Sequence, residues 1–332
     1  MRFGFYLPTR GPQAAGPAVE ALARHGEALG YHSAVVADHI VIPASSDSIY
    51  PYTLDGKHPS EGDALEQLAE IAFVAGVTRT LRLITSVLIV PHRNPVVTAK
   101  TLATIDVLSR GRLTVGVGVG WLREEFAALG APNFERRGAV TDEYIRIFKT
   151  LWTQAPATFS GEFYRFDSVW SLPMPVQQPH PPIWIGGHSR AALRRAARLG
   201  DGWHPVGGVP SAPLRPAELR AKVVELHRLC AAEGRGPAEL TVSLKAPLYD
   251  VRVTGAALDA EGRERRPLSG TAEQIAADVD AYAEAGVSEL ILDFRGDALG
   301  ASLDRMEWFA REVMPHAGPA SQALPAAAHS PR

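Results

Sequence analysis

Residues 81–120, LRLITSVLIVPHRNPVVTAKTLATIDVLSRGRLTVGVGVG, contain one complete strand–helix–strand unit. LRLITSVLIV (81–90) predicts a strand. The helical pattern after it begins at Asn94 and Pro95, residue types favoured at the N-cap and first position of a helix. Gly111 ends that helix, and LTVGVGVG (113–120) predicts the next strand. Strands that alternate with helices pair in parallel, so this unit predicts part of a parallel sheet.

The same unit recurs along the chain. Strand-type runs occupy 2–8, 33–40, 81–90, 113–120, 182–187, 201–207, 239–251 and 288–294, and a helical pattern follows each of them. Eight such units with no change of composition near the middle predict an α/β fold of the closed (β/α)8, or TIM, barrel type. The alternative is an open, doubly wound sheet in two halves, which requires a switch point and a linker that the sequence does not show clearly.

The barrel is expected to form a single domain over residues 1–316, with insertions in the loops at the carboxyl ends of the strands. Segments 43–62 and 155–181 are long connections of this kind and are candidate lids. The second contains FSGEFYRF, which predicts a small hairpin. The stretch 317–332, AGPASQALPAAAHSPR, is rich in Ala, Pro and Ser and is predicted to be disordered.

The composition is that of an ordinary globular protein. Of 332 residues, 46% are hydrophobic and 21% charged, and the formal net charge of −2 gives no basic field for nucleic acid or an anionic membrane. The single cysteine, Cys230, excludes an internal disulfide framework and a cysteine-based metal site. The N-terminus does not resemble a signal peptide, and no apolar run approaches the roughly 20 residues of a membrane span. These features predict a cytoplasmic protein.

Three alternating glycines, Gly116, Gly118 and Gly120, stand at the end of the fourth predicted strand. A dinucleotide fingerprint has the spacing G-x-G-x-x-G in the first strand-to-helix turn, so this motif does not match one. Glycine in a strand often marks the close approach of a ligand or of another backbone. Gly118 and Gly120 are therefore interpreted as clearing space for a flat ligand, with tight packing in the barrel mouth as the alternative.

Polar residues, glycines and aromatic residues follow several predicted strands, where the active site of a TIM barrel lies. His39 is a candidate for acid–base chemistry because histidine titrates near neutrality. Gly186, Gly187 and Ser189 precede a helix, whose N-terminal amides can bind phosphate; the alternative is a plain turn with Ser189 as N-cap. The strand-end groups are Asp38-His39, Ser86-Val87, Gly186-Gly187-His188-Ser189, Gly202-Trp203-His204, Asp293 and Arg295.

Hydrolase chemistry has little support. His39, His92, His188 and His204 can face one rim, but the sequence has neither a His-x-His pair on the first strand nor an HExxH motif, so no metal is expected. A metal-dependent barrel hydrolase remains a distant alternative. There is no G-x-S-x-G motif for a serine hydrolase.

In combination and order, four segments resemble the luciferase-like superfamily of flavin- and deazaflavin-dependent oxidoreductases. They are VVADHIVIP (35–43), the stretch 81–130, FSGEFYRFDSV (159–169) and PHPPIWIGGHSRAALRRAARLGDGWHP (179–205). The sequence pattern GVGVGW…EEF.ALG is similar to that of the branch assigned to coenzyme F420, the deazaflavin. The resemblance covers about 1–315.

The resemblance implies a flavin-type ring deep in the barrel mouth, with a non-prolyl cis peptide at Ser86-Val87 against one face. It also implies that Asp38 and His39 lie near the ring, that Gly118, Val119 and Gly120 line it, and that Gly186, Gly187, His188 and Ser189 hold its phosphate. Trp121 stands where sugar-phosphate dehydrogenase relatives carry a proton-donating glutamate, so that reaction is not expected. Glu124 and Glu125 are interpreted as the start of the next helix.

The expected function is hydride transfer between F420 and a small organic substrate, with His39 as the catalytic residue and Trp121, Trp203 and Arg295 in the substrate pocket. The alternative is an FMNH2-dependent monooxygenase. The resemblance further implies a homodimer and a separate flavin or F420 reductase as the source of electrons. A cofactor-binding protein without catalysis is a third possibility of a different class.

Overall fold

The computed structural model describes residues 1–57, 64–209, 211–236, 239–247 and 265–317. Eight parallel strands close into a barrel in the order β1-β10-β9-β8-β7-β4-β3-β2, so the predicted (β/α)8 fold is confirmed. The barrel strands are β1 (Arg2–Tyr6), β2 (Ser33–Val36), β3 (Arg82–Ile89), β4 (Leu113–Gly118), β7 (Ile183–Gly186), β8 (Gly202–His204), β9 (Thr241–Pro247) and β10 (Glu289–Asp293).

Helices cover the outside of the barrel. They are α1 (Gly16–Ala28), α2 (Gln67–Val77), α3 (Pro95–Leu108), α4 (Arg123–Ala128), α5 (Arg137–Thr153), α6 (Arg190–Leu199), α7 (Pro216–Ala232), α8 (Ala272–Glu284) and α9 (Leu299–Glu312). The predicted start of α3 is confirmed, since Asn94 Oδ1 accepts hydrogen bonds from the Val96 and Val97 amides. None of the described helices is long and apolar enough to cross a membrane.

Several predicted strands end earlier than expected. The run 33–40 forms a strand only over Ser33–Val36, and 113–120 only over Leu113–Gly118. The last residues of these runs leave the ladder and turn into the loops at the barrel mouth. This places Asp38, His39 and Gly120 around an opening instead of inside the sheet.

The core has two layers, because successive residues of a strand point to opposite faces. Tyr6, Val35, Ile84, Trp184 and Ile291 pack together inside the barrel. The larger layer lies between strands and helices and includes the fully buried Trp203 and Phe309. Full burial of one such large apolar side chain stabilises the fold by roughly 1.5–3 kcal/mol.

The predicted hairpin is confirmed as β5 (Ala157–Ser160) paired with β6 (Arg165–Val169). The prediction that 155–181 forms a lid is wrong, because this segment contributes no residue to the cavity described below. Glu143 on α5 accepts hydrogen bonds from the amides of Glu162, Phe163 and Tyr164, which fixes the hairpin to the outer helix layer. From residue 318 onward, the predicted disordered tail lies outside the described residues.

Candidate active site

One cavity of about 680 Å³ opens at the carboxyl ends of the barrel strands. Its size is within the range of small-molecule and cofactor sites. The lining residues come from all eight barrel strands or the loops after them. They are Tyr6, Thr9, Arg10, Gly11, Ala37, Asp38, His39, Tyr50, Pro51, Tyr52, Ser86, Val87, Ile89, Gly118, Val119, Gly120, Trp121, Gly186, Gly187, His204, Val206, Val209, Lys245, Ala246, Asp293 and Arg295.

The peptide bond between Ser86 and Val87 is cis, as the resemblance implied. It lies within β3, where the pairing with β4 shifts register between Thr85 and Leu88. A Cβ atom on Gly118 would lie 2.5 Å from Val87 Cγ2, and one on Gly186 would lie 2.8 Å from Val87 Cγ1. The two glycines therefore provide the space that the Val87 side chain occupies in the cavity wall.

The contacts of the β4 glycines decide between the two interpretations of their spacing. A Cβ on Gly116 would lie 2.1 Å from the Thr85 carbonyl oxygen, and one on Gly120 would lie 2.6 Å from the Phe126 ring. Protein atoms fill the space beside each glycine, so close packing explains the motif. Gly118 and Gly120 still line the cavity, but the absence of their side chains makes room for Val87 and Phe126.

His39 is held by a carboxylate that the sequence analysis placed only at the start of a helix. Glu125 lies on α4 and is fully buried, and its Oε2 atom is 2.8 Å from His39 Nδ1. Its Oε1 atom accepts hydrogen bonds from the Ile40 and Val41 amides at 2.8 and 3.3 Å. Both oxygens of this carboxylate therefore fix the segment that carries His39.

Burial alone would raise the pKa of Glu125, but the hydrogen bond with His39 and the nearby His39 and His92 rings lower it below its ordinary value. Glu125 is thus ionised and accepts hydrogen bonds, so His39 donates its Nδ1 proton to it. That arrangement directs the chemistry of the imidazole to its other nitrogen, Nε2.

His92 lies behind this pair. Its Nδ1 atom is 3.7 Å from Glu125 Oε1, and its ring packs edge-on against Phe126 at 4.6 Å. Burial lowers the pKa of His92 to about 4, partly offset by Glu125. His92 is therefore neutral at physiological pH, and it does not line the cavity.

Asp38 lines the cavity, but both of its carboxylate oxygens already accept hydrogen bonds from other residues of the protein. Arg93 donates to both of its carboxylate oxygens at 2.7 Å, and the Ile89 amide donates to Oδ2 at 2.8 Å. These contacts connect the end of β2 to the end of β3. The charge of Asp38 is thereby neutralised by a bidentate arginine pair.

The expectation that Trp203 belongs to the substrate pocket is not supported by its position. Trp203 is fully buried in the layer between strands and helices, and its Nε1 atom donates to the Gly187 carbonyl. Its neighbour His204 faces the cavity instead, 2.8 Å from Ser86 Oγ and hydrogen-bonded to Ser243 Oγ. Burial lowers the pKa of His204 to about 3, so this ring is a neutral part of the cavity floor.

Trp121 and Arg295, the other two residues expected in the substrate pocket, line the cavity. The Trp121 ring lies 5.1 Å from that of Tyr50, and the Tyr50 ring lies 5.5 Å from that of Tyr52. Glu124 holds the loop that carries both tyrosines by accepting from the Asp47 amide and the Ser48 hydroxyl. We call Tyr50, Tyr52 and Trp121 the aromatic wall.

The turn before α6 is the segment that was predicted to hold a phosphate. Gly187 has a φ of +98°, and Ser189 caps α6 by accepting from the Ala192 amide at 3.2 Å. Gly186 and Gly187 line the cavity, while His188 and Ser189 lie directly beside it in sequence. The buried Nε2 atom of His188 has no hydrogen-bond partner within the described part of the chain.

Lys245 is a cavity residue that the sequence analysis did not single out. It lies on β9, inside the strand-type run ELTVSLKAPLYDV, where it is the single basic residue. A basic residue in the middle of a predicted barrel strand was the available signal. His39, His92, His188 and His204 were considered as metal ligands from the sequence. Among the described residues, no group of three or more His, Cys, Asp or Glu side chains could hold a metal ion.

The site thus combines a closed parallel barrel, a cis peptide within β3 and a histidine–glutamate pair at the cavity. The chain belongs to the luciferase-like monooxygenase family, whose family model matches residues 1–252.

Two sequence relatives illustrate the range of the family. An uncharacterized protein of Mycobacterium tuberculosis is 32% identical over 268 residues, covering 80% of this chain and 90% of the relative. The FMNH2-dependent dimethylsulfone monooxygenase of Pseudomonas putida is 41% identical over 149 residues, covering 44% of this chain and 40% of that enzyme.

Solved structures share the fold over nearly the whole chain. The monooxygenase RslO1 from Streptomyces bottropensis is 25% identical, with a TM-score of 0.77, and the match covers 96% of this chain and 100% of that one. An F420-dependent secondary alcohol dehydrogenase in complex with an F420-acetone adduct is 17% identical, with a TM-score of 0.73, covering 96% and 99% of the two chains. At this identity the second match shows the fold alone.

Proposed function

We propose that the protein is a cytoplasmic oxidoreductase that transfers hydride between coenzyme F420 and a small organic substrate. The observation that carries this proposal is the His39–Glu125 pair at the cavity wall, 2.8 Å between Nδ1 and Oε2. Hydride transfer to a carbonyl or imine leaves a negative charge on oxygen or nitrogen, which a nearby acid must neutralise. His39 is suited to that task, and to the reverse task when an alcohol is oxidised.

The residues around the cavity fit such a cofactor. The unpartnered Nε2 atom of His188 and the amides at the start of α6 suit a phosphate, with Gly186, Gly187 and Ser189 forming the turn. Val87, Gly118 and Val119 offer an apolar wall for the ring. When bound, F420 supplies or accepts the hydride.

The chain itself positions the substrate and handles the proton. Glu125 keeps the Nδ1 proton of His39 in a hydrogen bond, so His39 donates or accepts a proton at Nε2. The ionised Glu125 stabilises the imidazolium form electrostatically. The aromatic wall covers one side of the cavity and excludes water from the reacting centre.

An FMNH2-dependent monooxygenase is the second candidate. The 41% identity to the FMNH2-dependent dimethylsulfone monooxygenase over 149 residues favours it. In both cases we propose that a separate reductase supplies the reduced cofactor.

The test is a paired anaerobic titration of the purified protein with F420 and with reduced FMN. Selective micromolar binding of F420, followed by turnover with an alcohol, imine or unsaturated carbonyl, supports the proposal. Selective binding of reduced FMN, with O2 uptake once a reductase is added, overturns it in favour of the monooxygenase. Binding of neither overturns both.

A matched pair of variants tests the proposed phosphate turn. Gly187 and Gly234 both have positive φ angles, +98° and +72°, but only Gly187 lines the cavity. Alanine at either position is strained. Gly187→Ala is expected to weaken cofactor binding, whereas Gly234→Ala leaves it unchanged.

We also propose a homodimer that packs through α2 and α3. The outward residues of α2 are Ala69, Phe73 and Gly76, and α3 exposes Val97 and Leu108 to 64% and 62%. Exposed apolar residues grouped on one surface are typical of contacts between proteins, so this surface is suited to a second copy of the chain.

A further inference from the structure

We infer that the substrate carries an anionic group and that Lys245 binds this group, with Arg295 beside it. The inference rests on the proposed function in one respect, since it describes the substrate of the same cavity. It adds the chemical class of that substrate.

Lys245 reaches the cavity from β9 without a carboxylate partner. Its Nζ atom lies 4.3 Å from the centre of the Tyr6 ring and 3.4 Å from the Ser86 carbonyl oxygen. Within the described ranges no Asp or Glu oxygen lies within 4.0 Å of it. Lys245 is partly buried, and a ring face and one long hydrogen bond replace little of the hydration that its ammonium group loses there.

The carboxylates that line the cavity are already engaged. Asp38 is paired with Arg93, and Asp293 accepts from Arg295 Nε at 2.9 Å and from its Nη2 at 2.5 Å. The wall formed by β9 and β10 thus presents Lys245 and Arg295 against the single carboxylate of Asp293. This side of the cavity has an excess of positive charge among the described residues.

The groups around Lys245 explain its charge state. They are Tyr6 and Arg10 from β1 and the loop after it, Asp293 and Arg295 from β10 and the residues after it, and His204 from β8. Burial lowers the pKa of Lys245 to about 7; Asp293 opposes the shift, and Arg295 and Arg10 add to it. An anionic ligand would supply the missing counter-charge and favour the protonated amine.

The aromatic residues that line the cavity indicate the chemistry of the uncharged part of the substrate. The aromatic wall of Tyr50, Tyr52 and Trp121 offers flat apolar surfaces to an aromatic or unsaturated group. An organic acid of this kind would place its charge at Lys245 and its planar body against the wall. Carboxylate, sulfonate and phosphate share the required chemistry, so the test must separate them.

The experiment is calorimetric titration with benzoate, benzenesulfonate and phenyl phosphate, and with neutral benzamide as the uncharged probe. It uses the protein loaded with whichever cofactor the paired titration identifies. We expect at least one anion to bind more tightly than benzamide, and the tightest of the three to identify the anionic group. Lys245→Met is expected to weaken anion binding by roughly tenfold or more, while Lys245→Arg, which keeps the charge, retains much of it.

Lys149→Met, on the outer helix α5, is the matched control and should leave all four affinities unchanged. Equal binding of benzamide and the anions, failure of every anion to bind, or full anion binding by Lys245→Met would each overturn the inference. Cofactor titration of Lys245→Met separates this result from the proposed function. If the wild type binds no cofactor, the proposed function fails, yet anion binding can still be measured on the same protein.

Discussion

The Glu125 carboxylate lies 2.8 Å from the Nδ1 atom of His39, although the two residues are 86 positions apart in sequence. The contact joins the loop after β2 to the helix after β4 and is shielded from solvent, since Glu125 is fully buried. A single carboxylate thereby fixes both the direction and the protonation pattern of the candidate catalytic imidazole. We regard Glu125 as a positioning residue and His39 as the residue that meets the substrate.

Glu125→Gln should lower turnover without abolishing cofactor binding. The amide has nearly the same shape but no charge, so it no longer stabilises a protonated His39. General acid–base catalysis contributes about 10²- to 10⁴-fold, and we expect a substantial part of this to be lost. The pH–rate profile should also move, which a purely structural role would not cause.

Glu124→Gln is the control for this variant, because Glu124 is the adjacent residue and contacts the loop at Asp47 and Ser48 rather than His39. It should affect substrate affinity more than the pH dependence. An unchanged pH–rate profile for Glu125→Gln would contradict the positioning role.

Gly116→Ala and Gly118→Ala should have different consequences although the residues are two positions apart. The new Cβ at 116 meets the Thr85 backbone oxygen at 2.1 Å, which cannot move without disturbing the ladder. We expect a loss of roughly 1–3 kcal/mol or more in the free energy of unfolding. At 118 it meets the Val87 side chain at 2.5 Å, which can rotate into the cavity. Thermal unfolding should therefore show that Gly116→Ala is mainly destabilised, and cofactor titration should show that Gly118→Ala mainly loses cofactor binding. Equal effects of the two substitutions on stability and on binding would argue against this assignment.

Glu70→Gln should stabilise the protein, increasingly so at higher pH. Glu70 is buried on α2, neither of its oxygens has a hydrogen-bond partner within the described residues, and burial raises its pKa to about 8 from 4.5. Between these values the folded state holds a proton that the unfolded state releases, so stability falls as the pH rises from about 4.5 through 8. We expect a gain of roughly 1–3 kcal/mol at pH 8 and little at pH 4.5, measured by urea unfolding. Glu20→Gln, at a partly exposed position on α1, should show no such trend.

Lys245→Met should also stabilise the protein, with the opposite pH dependence. The pKa of Lys245 falls from 10.5 to about 7 on folding, so between these values the unfolded chain binds the additional proton and wild-type stability rises with pH. The melting temperature of the variant should exceed that of the wild type most clearly at pH 7, and the difference should shrink toward pH 10. A constant difference across this range would show that the lysine is not desolvated.

Phe73→Glu and Leu108→Glu should dissociate the proposed homodimer. Both place a charge on the exposed apolar surface of α2 and α3, where Phe73 is 41% exposed. Sedimentation velocity should show a dimeric wild type and monomeric variants. Val224→Glu is the control and should stay dimeric, because Val224 is an apolar residue on α7 that is as exposed as Leu108. A monomeric wild type would refute the proposal.

Much of the architecture could be predicted from local patterns. Alternating strand and helix signals predicted the barrel, and the Asn94 cap follows from short-range chemistry that the structure reproduces. Local patterns were insufficient where every residue of a strand is buried, because buried and exposed side chains then no longer alternate along it. All three residues of β8 are buried, so the sequence of Gly202, Trp203 and His204 does not show which side chain enters the barrel.

The sequence by itself determined the order of strands and helices, the helix ends and the residues gathered at the barrel mouth, because each depends on neighbours a few positions away. Tertiary structure decided that Glu125 holds His39, that His204 and not Trp203 faces the cavity, and that Lys245 lies opposite a single, already paired carboxylate. These relationships depend on strand register and on which face each residue presents. Both are settled only when the eighth strand pairs with the first and the barrel closes.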